Sequence, residues 1–336
     1  MDGSTPLVAR AAAGTPDGIA PDDGPDPRLH TDEPVAAGIR RIAGEQLVDA
    51  RYGLSKASAA PGARKLGDAI HDPRKRLKLV RALLRLSRDA TGEETYEREN
   101  ALLRRAGQRL SASRDAQVLL ETMESLRERF DHELKDDATE ILSGRLEDDR
   151  QKAEAALRAD ERDVEAVLVA LEEAAARAPQ WPVQPDDFAA LSPGLRRIYR
   201  RGRKATRAAR QDPTPENLHE MRKRTKDLRH AAEIVCEARP KRLSKLAKRA
   251  HEVGDLLGDN HDLHVLREYV ESHPQCFADE EARRALLAVI DHRAALLCKR
   301  ALKRSKRIYE ESPRRFVTKV ERGWSKRAGA ARPRAE

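Results

Sequence analysis

The chain has 336 residues, of which 37% are charged and 3% are aromatic, and its formal net charge at pH 7 is +9. Helix-forming residues dominate and runs rich in Val, Ile and aromatic residues are missing, so the composition excludes a strand-rich fold and favours an all-α protein. No stretch is long and apolar enough to span a bilayer, and the length allows a substantial core, either in one large domain or in two halves.

The N-terminal segment and the cysteines indicate a cytoplasmic protein. Residues 1–33 are rich in Ala, Gly, Pro and Asp, which predicts a disordered segment. They lack a basic start followed by an apolar stretch, so we expect no signal peptide. Cys236, Cys276 and Cys298 have no metal-ligand spacing, and their rarity favours small core residues in a reducing compartment.

Apolar periodicity and capping signals predict helices on both sides of a proline-containing break. In the first half, the predicted helices cover residues 35–57, 67–90, 93–111, 114–132, 135–158 and 160–177. In the second half, they cover residues 188–210, 215–237, 240–257, 262–272 and 279–311, and a last helix begins at Pro313. The resulting predicted units are a first helical half at 34–178, a linker at 179–187, a second helical half at 188–325 and a basic tail at 326–336.

The second predicted helix carries a row of cations that recurs in the second half of the chain. Residues 71–81 read HDPRKRLKLVR and residues 219–229 read HEMRKRTKDLR, with six of the eleven positions identical at unchanged spacing. At about 100° per residue, each helix presents its cations on one side. These cations are His71, Arg74, Lys78, Arg81 and Arg85 in the first copy and His219, Arg222, Lys226 and Arg229 in the second. The opposite side of the first copy is apolar, with Leu77, Val80, Leu83 and Leu84.

A helix face made only of cations repels itself. Two like charges a few ångströms apart cost roughly 1 kcal/mol in water and about 4 kcal/mol at an effective dielectric constant of 20. A bound polyanion would offset this cost. The alternative is an ordinary solvated surface, but such surfaces usually mix acids and bases, because opposite charges at i,i+4 stabilise a helix.

Further stripes of cations occur in other predicted helices. Their members are Arg40, which precedes the first motif, Arg196, Arg200 and Arg203 in a stretch without acids, and Lys241, Lys245 and Lys248. Acids are concentrated elsewhere, at residues 93–99, 121–149 and 160–173. This segregation predicts one strongly basic side of the molecule.

A shorter motif follows each cationic helix. Residues 110–119 read LSASRDAQVL and residues 257–266 read LGDNHDLHVL, so Asp115 aligns with Asp262. Together with the similarity of Gly-Ile-Arg-Arg-Ile, from Gly38, to Gly-Leu-Arg-Arg-Ile, from Gly194, three anchors recur in the same order. This order indicates an internal duplication with a long repeat.

These paired motifs resemble those of the CHAD family, the conserved histidine α-helical domain, over roughly residues 35–325. The resemblance implies two helical-bundle subdomains related by pseudo-twofold symmetry, with a basic groove or channel at their junction. It also implies that inorganic polyphosphate binds there, and that the protein is found on polyphosphate granules. Some members carry a fused triphosphatase domain, whose Glu-x-Glu-x-Lys motif is missing here, so the chain resembles the stand-alone type.

The resemblance implies which residues contact polyphosphate. By motif, they are His71, Arg74, Lys78 and Arg81 in the first copy, and His219, Arg222, Lys226 and Arg229 in the second. From the stripes described above, we add Arg85, Arg40, Arg196, Arg200, Arg203, Lys241, Lys245 and Lys248 to the predicted binding residues. Granule-associated proteins are candidate partners, and no membrane contact is expected.

Nucleic acid is the alternative ligand. Single-strand binders stack bases on aromatic side chains, whereas the basic stripes here contain no aromatic residue apart from Tyr199. We therefore expect nucleic acid only as a weaker competitor of polyphosphate. A purely structural basic surface is the remaining alternative.

Enzymatic functions find little support in the sequence. No Gly-Lys dipeptide is present, which excludes a P-loop. His261-Asp262 resembles the core of a metal-dependent HD phosphohydrolase, but no neighbouring set of metal ligands accompanies it. We therefore predict a binding protein that is not an enzyme and has no cofactor or metal, with Asp115 and Asp262 as helix caps or ion-pair partners.

Two further roles follow from the motif. His71 and His219 either donate to phosphate or stay neutral and hydrogen-bonded between helices, and the sequence leaves both roles open. Arg76 and Arg224 project toward the apolar side of their helices. We expect each of them to form an internal ion pair, with Asp115 and Asp262 as candidate partners.

Overall fold

The computed structural model describes residues 24–59, 66–110, 112–130, 136–159 and 161–331. These residues form α-helices and short 3₁₀ turns, and no strand occurs among them, which confirms the all-α prediction. The helices are α1 (Val35–Ala59), α2 (Leu66–Thr91), α3 (Glu93–Arg109), α4 (Ala112–Arg129), α5 (Asp136–Ala159), α6 (Glu161–Arg177), α7 (Ser192–Gln211), α8 (Pro215–Ile234), α9 (Pro240–Ser272), α10 (Glu280–Ser305) and α11 (Pro313–Ala331).

The long helix α9 departs from the prediction. It runs without a break through the two predicted helices at residues 240–257 and 262–272. Gly254 and Gly258 lie inside α9 and do not mark its end. The helix continues because apolar side chains beyond the glycines, such as Leu263, remain buried.

Two hydrophobic cores hold the helices together. The larger core joins α1, α2, α3, α6, α7, α8, α11, the N-terminal half of α9 and the last part of α10. The smaller core joins α4 and α5 to the C-terminal half of α9 and to α10. Each core therefore combines helices from before and after residues 179–187, and the division into two duplicated subdomains stays a prediction.

Residues 24–33 belong to the segment whose composition predicts disorder, yet they pack on the helices. Leu29 is fully buried, and its N–H donates to the carbonyl oxygen of Ile234 at 2.8 Å. A carboxylate oxygen of Glu237 accepts from the N–H of Thr31 at 2.8 Å. The prediction is therefore wrong for these residues, because one buried leucine and these hydrogen bonds anchor them. Residues 1–23 lie outside the part of the chain that the structure describes.

The predicted linker and tail are also integrated into the fold. Trp181 and Val183 of the linker are buried in the larger core. Helix α11 continues to Ala331 and so includes the first residues of the predicted tail, whereas residues 332–336 lie outside the described ranges. None of the described helices is both long and apolar enough to cross a membrane.

The two cationic helices, α2 and α8, pack against each other. Helix α2 also contacts α1, α3 and α7, and α8 contacts α7 and α9. The apolar side predicted for the first copy is buried as expected, at Leu77, Val80, Leu83 and Leu84. Burial of this side fixes which side of α2 carries the cations.

Candidate functional site

The second copy of the motif lies where α8 packs against two glycines of α9. Arg222 and Lys226 are one turn apart on α8, and Gly254 and Gly258 are one turn apart on α9. A Cβ atom added at Gly258 would lie 3.4 Å from Nη2 of Arg222, and one added at Gly254 would lie 3.7 Å from Cγ of Lys226. Both cationic side chains therefore lie directly against the α9 backbone at these two glycines, at distances where an added Cβ would make ordinary van der Waals contact.

The guanidinium of Arg222 is half-buried and unpaired. It makes no hydrogen bond or ion pair with any described residue, and its Nε is buried. Some other half-buried arginines are paired with carboxylates, such as Arg150 with Glu147 at 2.6 Å and Arg177 with Glu99 at 2.8 Å. A buried donor without an acceptor costs about 1–3 kcal/mol, so Arg222 retains unused hydrogen-bonding capacity.

Two histidines lie beside Arg222. The ring centroids of His219, on α8, and His261, on α9, are 4.6 Å apart. Burial, Lys223 and Arg222 lower the pKa of His219, and burial, Arg222 and His219 lower the pKa of His261 to about 4. Both imidazoles are therefore neutral at pH 7, and Nδ1 of His219 is buried without a partner among the described residues. We call His219, Arg222, Lys226 and His261 the α8–α9 site.

Lys226 connects the α8–α9 site to the first copy of the motif. Burial, Arg222 and Lys78 lower the pKa of Lys226 to about 8, whereas Asp255 and Asp262 favour its charged form. Lys78 is an exposed residue of α2, so its charge acts on Lys226 across the contact between the two helices. The fold therefore places cations from both copies of the motif close enough to repel each other.

Helix α9 also brings carboxylates near these cations. Asp255, Asp259 and Asp262 follow the helical spacing i, i+4 and i+7. Burial and Asp255 raise the pKa of Asp259, against the opposing effect of Arg293 and Arg222. The α8–α9 site is thus a cationic set with acids at its border. The position of Asp262 in the interior of α9 shows that its prediction as a helix cap is wrong.

The first copy of the motif uses its first arginine differently. Nη1 of Arg74 donates to the carbonyl oxygen of Leu110 at 2.8 Å, just after α3 ends at Arg109. The last carbonyl groups of a helix have no partner within the helix, so this contact satisfies one of them. His71 and Lys78 of this copy are exposed.

The next two cations of the first copy help to pack α2. Nε of Arg81 donates to Oδ1 of Asn100, on α3, at 3.1 Å. Burial, Arg85 and Arg104 lower the pKa of Arg81 to about 10. Arg85 forms an ion pair of 3.2 Å with Asp227 of α8. These contacts tie α2 to α3 and α8.

A small cleft adjoins these cations. It is lined by Arg85, Arg88, Tyr96, Arg197, Ile198, Arg201, Arg224 and Asp227, and we call it the arginine cleft. Most of its arginines are neutralised, for example Arg197 by Asp89 at 2.8 Å. Arg201 is exposed and has no ion pair with a described residue. The guanidinium of Arg88 covers the ring of Tyr96 at 4.5 Å.

The remaining predicted binding residues fall into two groups. Nε of Arg40 donates to the carbonyl oxygen of Trp181 at 3.0 Å, and Arg229 pairs with Glu233 at 2.8 Å. These two arginines therefore hold the fold together in addition to any other role. Exposed stripes are formed by Arg196, Arg200 and Arg203 on α7 and by Lys241, Lys245 and Lys248 on α9.

The inward-facing arginines form ion pairs, but with partners other than those predicted. Nε of the buried Arg76 lies 2.7 Å from a carboxylate oxygen of Asp49, on α1. Arg224 pairs with Glu220 at 2.8 Å and with Asp227 at 2.7 Å. The candidate partners Asp115 and Asp262 are therefore wrong, because acids on α1 and on α8 itself lie closer.

Sequence reasoning missed several residues that shape the α8–α9 site. Gly254 and Gly258 are the positions of α9 against which the cations pack, and Asp227 joins the two cationic helices. His261 drew attention only through its resemblance to an HD motif. Two glycines spaced at i,i+4 shortly before His261 were the sequence signal that could have indicated a close helix contact here.

The site does not have the ligands of a metal centre. Among the described residues, no group of three or more His, Cys, Asp or Glu side chains could hold a metal ion. The family model of the CHAD domain matches residues 51–271 of the chain. A search of curated proteins finds no match to it.

Proposed function

The chain belongs to the CHAD domain family, and from that premise we propose that it binds inorganic polyphosphate at the α8–α9 site. The family is associated with polyphosphate binding in general. The observation that carries the proposal is the half-buried guanidinium of Arg222, which has no acceptor among the described residues. Phosphate oxygens are acceptors that match a guanidinium in geometry and charge.

Several cations would neutralise the polyphosphate chain together. Lys226 and Lys78 repel each other in the free protein, and a polyanion between them would convert this repulsion into attraction. His219 and His261 would add donors once the bound anion raises their pKa. The exposed arginines of α7 would extend the path for a long chain. The affinity gained at each phosphate is modest, so we expect the polymer to bind far more tightly than orthophosphate.

Binding of this kind weakens steeply with salt. Proteins that make about 6–10 phosphate contacts to DNA lose roughly 10³–10⁵ in affinity between 50 and 200 mM salt. We expect a comparable loss for long-chain polyphosphate, measured by fluorescence anisotropy over this salt range. A change of less than threefold would contradict multivalent charge neutralisation.

We also propose that the protein binds polyphosphate without acting on it. A polymer of identical charged units needs only donors for recognition, and the α8–α9 site supplies donors. Incubation with polyphosphate should release no orthophosphate beyond the rate without protein, with or without added Mg²⁺. Release that disappears in the variants described below would show that the site is catalytic.

Nucleic acid remains the second candidate because Tyr96 lines the arginine cleft. A base would need a face of the tyrosine ring, and Arg88 already covers one of the two. Stacking contributes about 1–3 kcal/mol per base in single-strand binders, so this occupied ring favours polyphosphate.

A competition experiment separates the two ligands. Labelled long-chain polyphosphate is bound at physiological salt and challenged with single-stranded DNA, RNA and heparin at equal charge. The site variant Arg222→Glu/Lys226→Glu is compared with Arg51→Glu/Lys56→Glu, a matched charge change on exposed positions of α1. We expect polyphosphate to be retained against nucleic acid, and only the site variant to lose it. Equal displacement by nucleic acid, or equal losses in both variants, would refute the proposal.

Cellular location is part of the same proposal. We propose a cytoplasmic protein associated with polyphosphate granules, because a polymer-binding site without base recognition would be saturated there. A fluorescent fusion should colocalise with granules stained for polyphosphate, and Arg222→Glu/Lys226→Glu should disperse it. Granule proteins that depend on this chain for attachment are candidate partners.

A further inference from the structure

Lys226 has an unusual environment for a lysine. Its side chain lies flat across Gly254, and Cγ and Cε are 3.7 and 4.0 Å from the position of an added Cβ. Its Nζ has no hydrogen bond or ion pair within the described ranges. The neighbouring Lys223, by contrast, pairs with Glu220 at 2.8 Å. The amine thus has no acceptor among the described residues. One turn away on α8, the guanidinium of Arg222 has donors that could bind a phosphate group.

This environment makes the amine a nucleophile. Burial, Arg222 and Lys78 lower the pKa of Lys226 to about 8. At pH 7 about a tenth of such amines are neutral, against roughly 0.03% for an ordinary lysine, a difference of about 300-fold. Part of this gain is lost because a less basic amine is intrinsically less nucleophilic, so we expect a net gain on the order of tenfold.

We propose that Lys226 is a site of covalent acylation by acyl phosphates. The proposal rests on the proposed function in one respect, since the donors that hold phosphate groups of the polymer would also hold the phosphate of the reagent. Arg222 and His219 would bind the phosphate oxygens, and the acyl carbon would then lie near Nζ of Lys226.

The reaction balances without any additional reactant. The lone pair of the neutral Nζ attacks the carbonyl carbon of the acyl phosphate and forms a C–N bond. The C–O bond to phosphate breaks, and its electron pair leaves with the phosphate. The proton lost by nitrogen ends on the phosphate, so the products are an amide and hydrogen phosphate.

Acylation would change binding. The amide of Lys226 carries no charge, so the α8–α9 site loses one of its central cations. We expect the affinity for polyphosphate to fall by about tenfold, the effect of losing one charged hydrogen bond. Conversely, bound polyphosphate would occupy the donors and protonate the amine, and so protect Lys226.

The test uses acetyl phosphate and the full chain. Acetylation rates of individual lysines are measured by peptide mass spectrometry at pH 7.5, with and without polyphosphate. Lys226 should react at least tenfold faster than the exposed Lys56 and Lys204, and polyphosphate should slow Lys226 selectively. A rate for Lys226 equal to or below those of Lys56 and Lys204 would overturn the proposal.

A neutral reagent tests the role of the phosphate. p-Nitrophenyl acetate transfers the same acetyl group but carries no phosphate, so the preference for Lys226 should be smaller than with acetyl phosphate. Arg222→Met should remove most of the preference for acetyl phosphate. If Lys226 is preferred over the other lysines equally with both reagents, the phosphate plays no role and the assignment to acyl phosphates is wrong.

Further arms separate this proposal from the proposed function. Treated wild-type protein should lose polyphosphate affinity in proportion to acetylation of Lys226, whereas Lys226→Arg should bind equally before and after treatment. Fast acetylation of Lys226 without polyphosphate binding would refute the proposed function alone. Tight polyphosphate binding with slow acetylation of Lys226 would refute the acylation site alone.

Discussion

The two copies of the cationic motif have the same spacing but different surroundings. In the first copy, Arg74 satisfies the carbonyl of Leu110, because α3 ends there. In the second copy, α9 continues past the equivalent point, and Arg222 lies against Gly258 without an acceptor among the described residues. The same arginine therefore stabilises a helix end in one copy and keeps its donors open for a ligand in the other.

The largest expected difference is in polyphosphate binding. Arg222→Glu/Lys226→Glu should weaken binding by 100-fold or more, because each lost charged hydrogen bond contributes about 1.5–3 kcal/mol. Arg74→Glu/Lys78→Glu changes the charge equally, but Arg74 already donates to the carbonyl oxygen of Leu110, so binding should weaken by only about tenfold. Anisotropy titrations at one salt concentration measure both. Equal losses would show that the two copies contribute symmetrically.

The lysines of the two copies should also differ in their effect on the free energy of unfolding, and here removal of the second-copy lysine should be favourable. Burial and neighbouring cations lower the pKa of Lys226, so the unfolded chain binds this proton more strongly than the folded one. The resulting penalty is present in full below pH 8 and vanishes above about pH 10.5. Lys226→Met should therefore stabilise the protein by about 1–3 kcal/mol at pH 7.

The control for this prediction is Lys78→Met. Lys78 is exposed, so this change should alter the free energy of unfolding by less than about 0.5 kcal/mol. Denaturant unfolding at pH 7 and at pH 10.5 measures both variants. A destabilised Lys226→Met at pH 7 would mean that the lysine has a favourable partner and is not an open cation.

The histidines should make binding dependent on pH. His219 has a lowered pKa and His261 has a pKa of about 4 in the free protein, so an anion that raises both values takes up protons on binding. Affinity should therefore increase as pH falls from 6.5 toward 4, by about tenfold between pH 7.5 and 5. Over the same window the free protein should become less stable, because its unfolded state protonates first.

Matched variants assign this effect to one copy. His219→Gln should flatten the pH dependence of the affinity, whereas His71→Gln, at an exposed position, should leave it nearly unchanged. Protonation of Lys226 as the pH falls through about 8 adds a separate increase in affinity, which both variants retain. A wild-type affinity that does not change between pH 5.5 and 8 would exclude the histidines from binding.

The smallest effect concerns the glycines. Gly258→Ala places a Cβ 3.4 Å from Nη2 of Arg222, and should weaken binding by no more than about threefold. At Gly107, in α3, an added Cβ meets nothing within 4 Å. Gly107→Ala should therefore leave binding unchanged and stabilise the helix by about 0.5–1 kcal/mol. A larger loss from Gly107→Ala than from Gly258→Ala would contradict the role given to α9.

Local patterns predicted much of this fold. The buried side of α2, including Leu83, follows from apolar spacing, and the start of α8 follows from Thr214 before Pro215, a typical N-cap and first helical residue. Local patterns did not predict features that depend on contacts between residues distant in the sequence. Leu29 anchors a segment whose composition predicts disorder, and α9 continues through Gly254 because both of its ends are buried in cores.

The site was predictable in its residue types but not in its arrangement. The stripe that contains Arg222 and Lys226 follows from the motif. Whether Arg74 is open or occupied depends on where α3 ends, and the bridge through Asp227 depends on how α2 meets α8. Neither can be read from spacing within one helix, because both are contacts between helices.

A crystal structure with a short polyphosphate chain tests the central claim most directly. We predict phosphate groups bound by the guanidinium of Arg222 and by Nζ of Lys226, with His219 as a further donor and Lys78 completing the contact from α2. Phosphates bound only along α7 or in the arginine cleft, with Arg222 still unpaired, would contradict it.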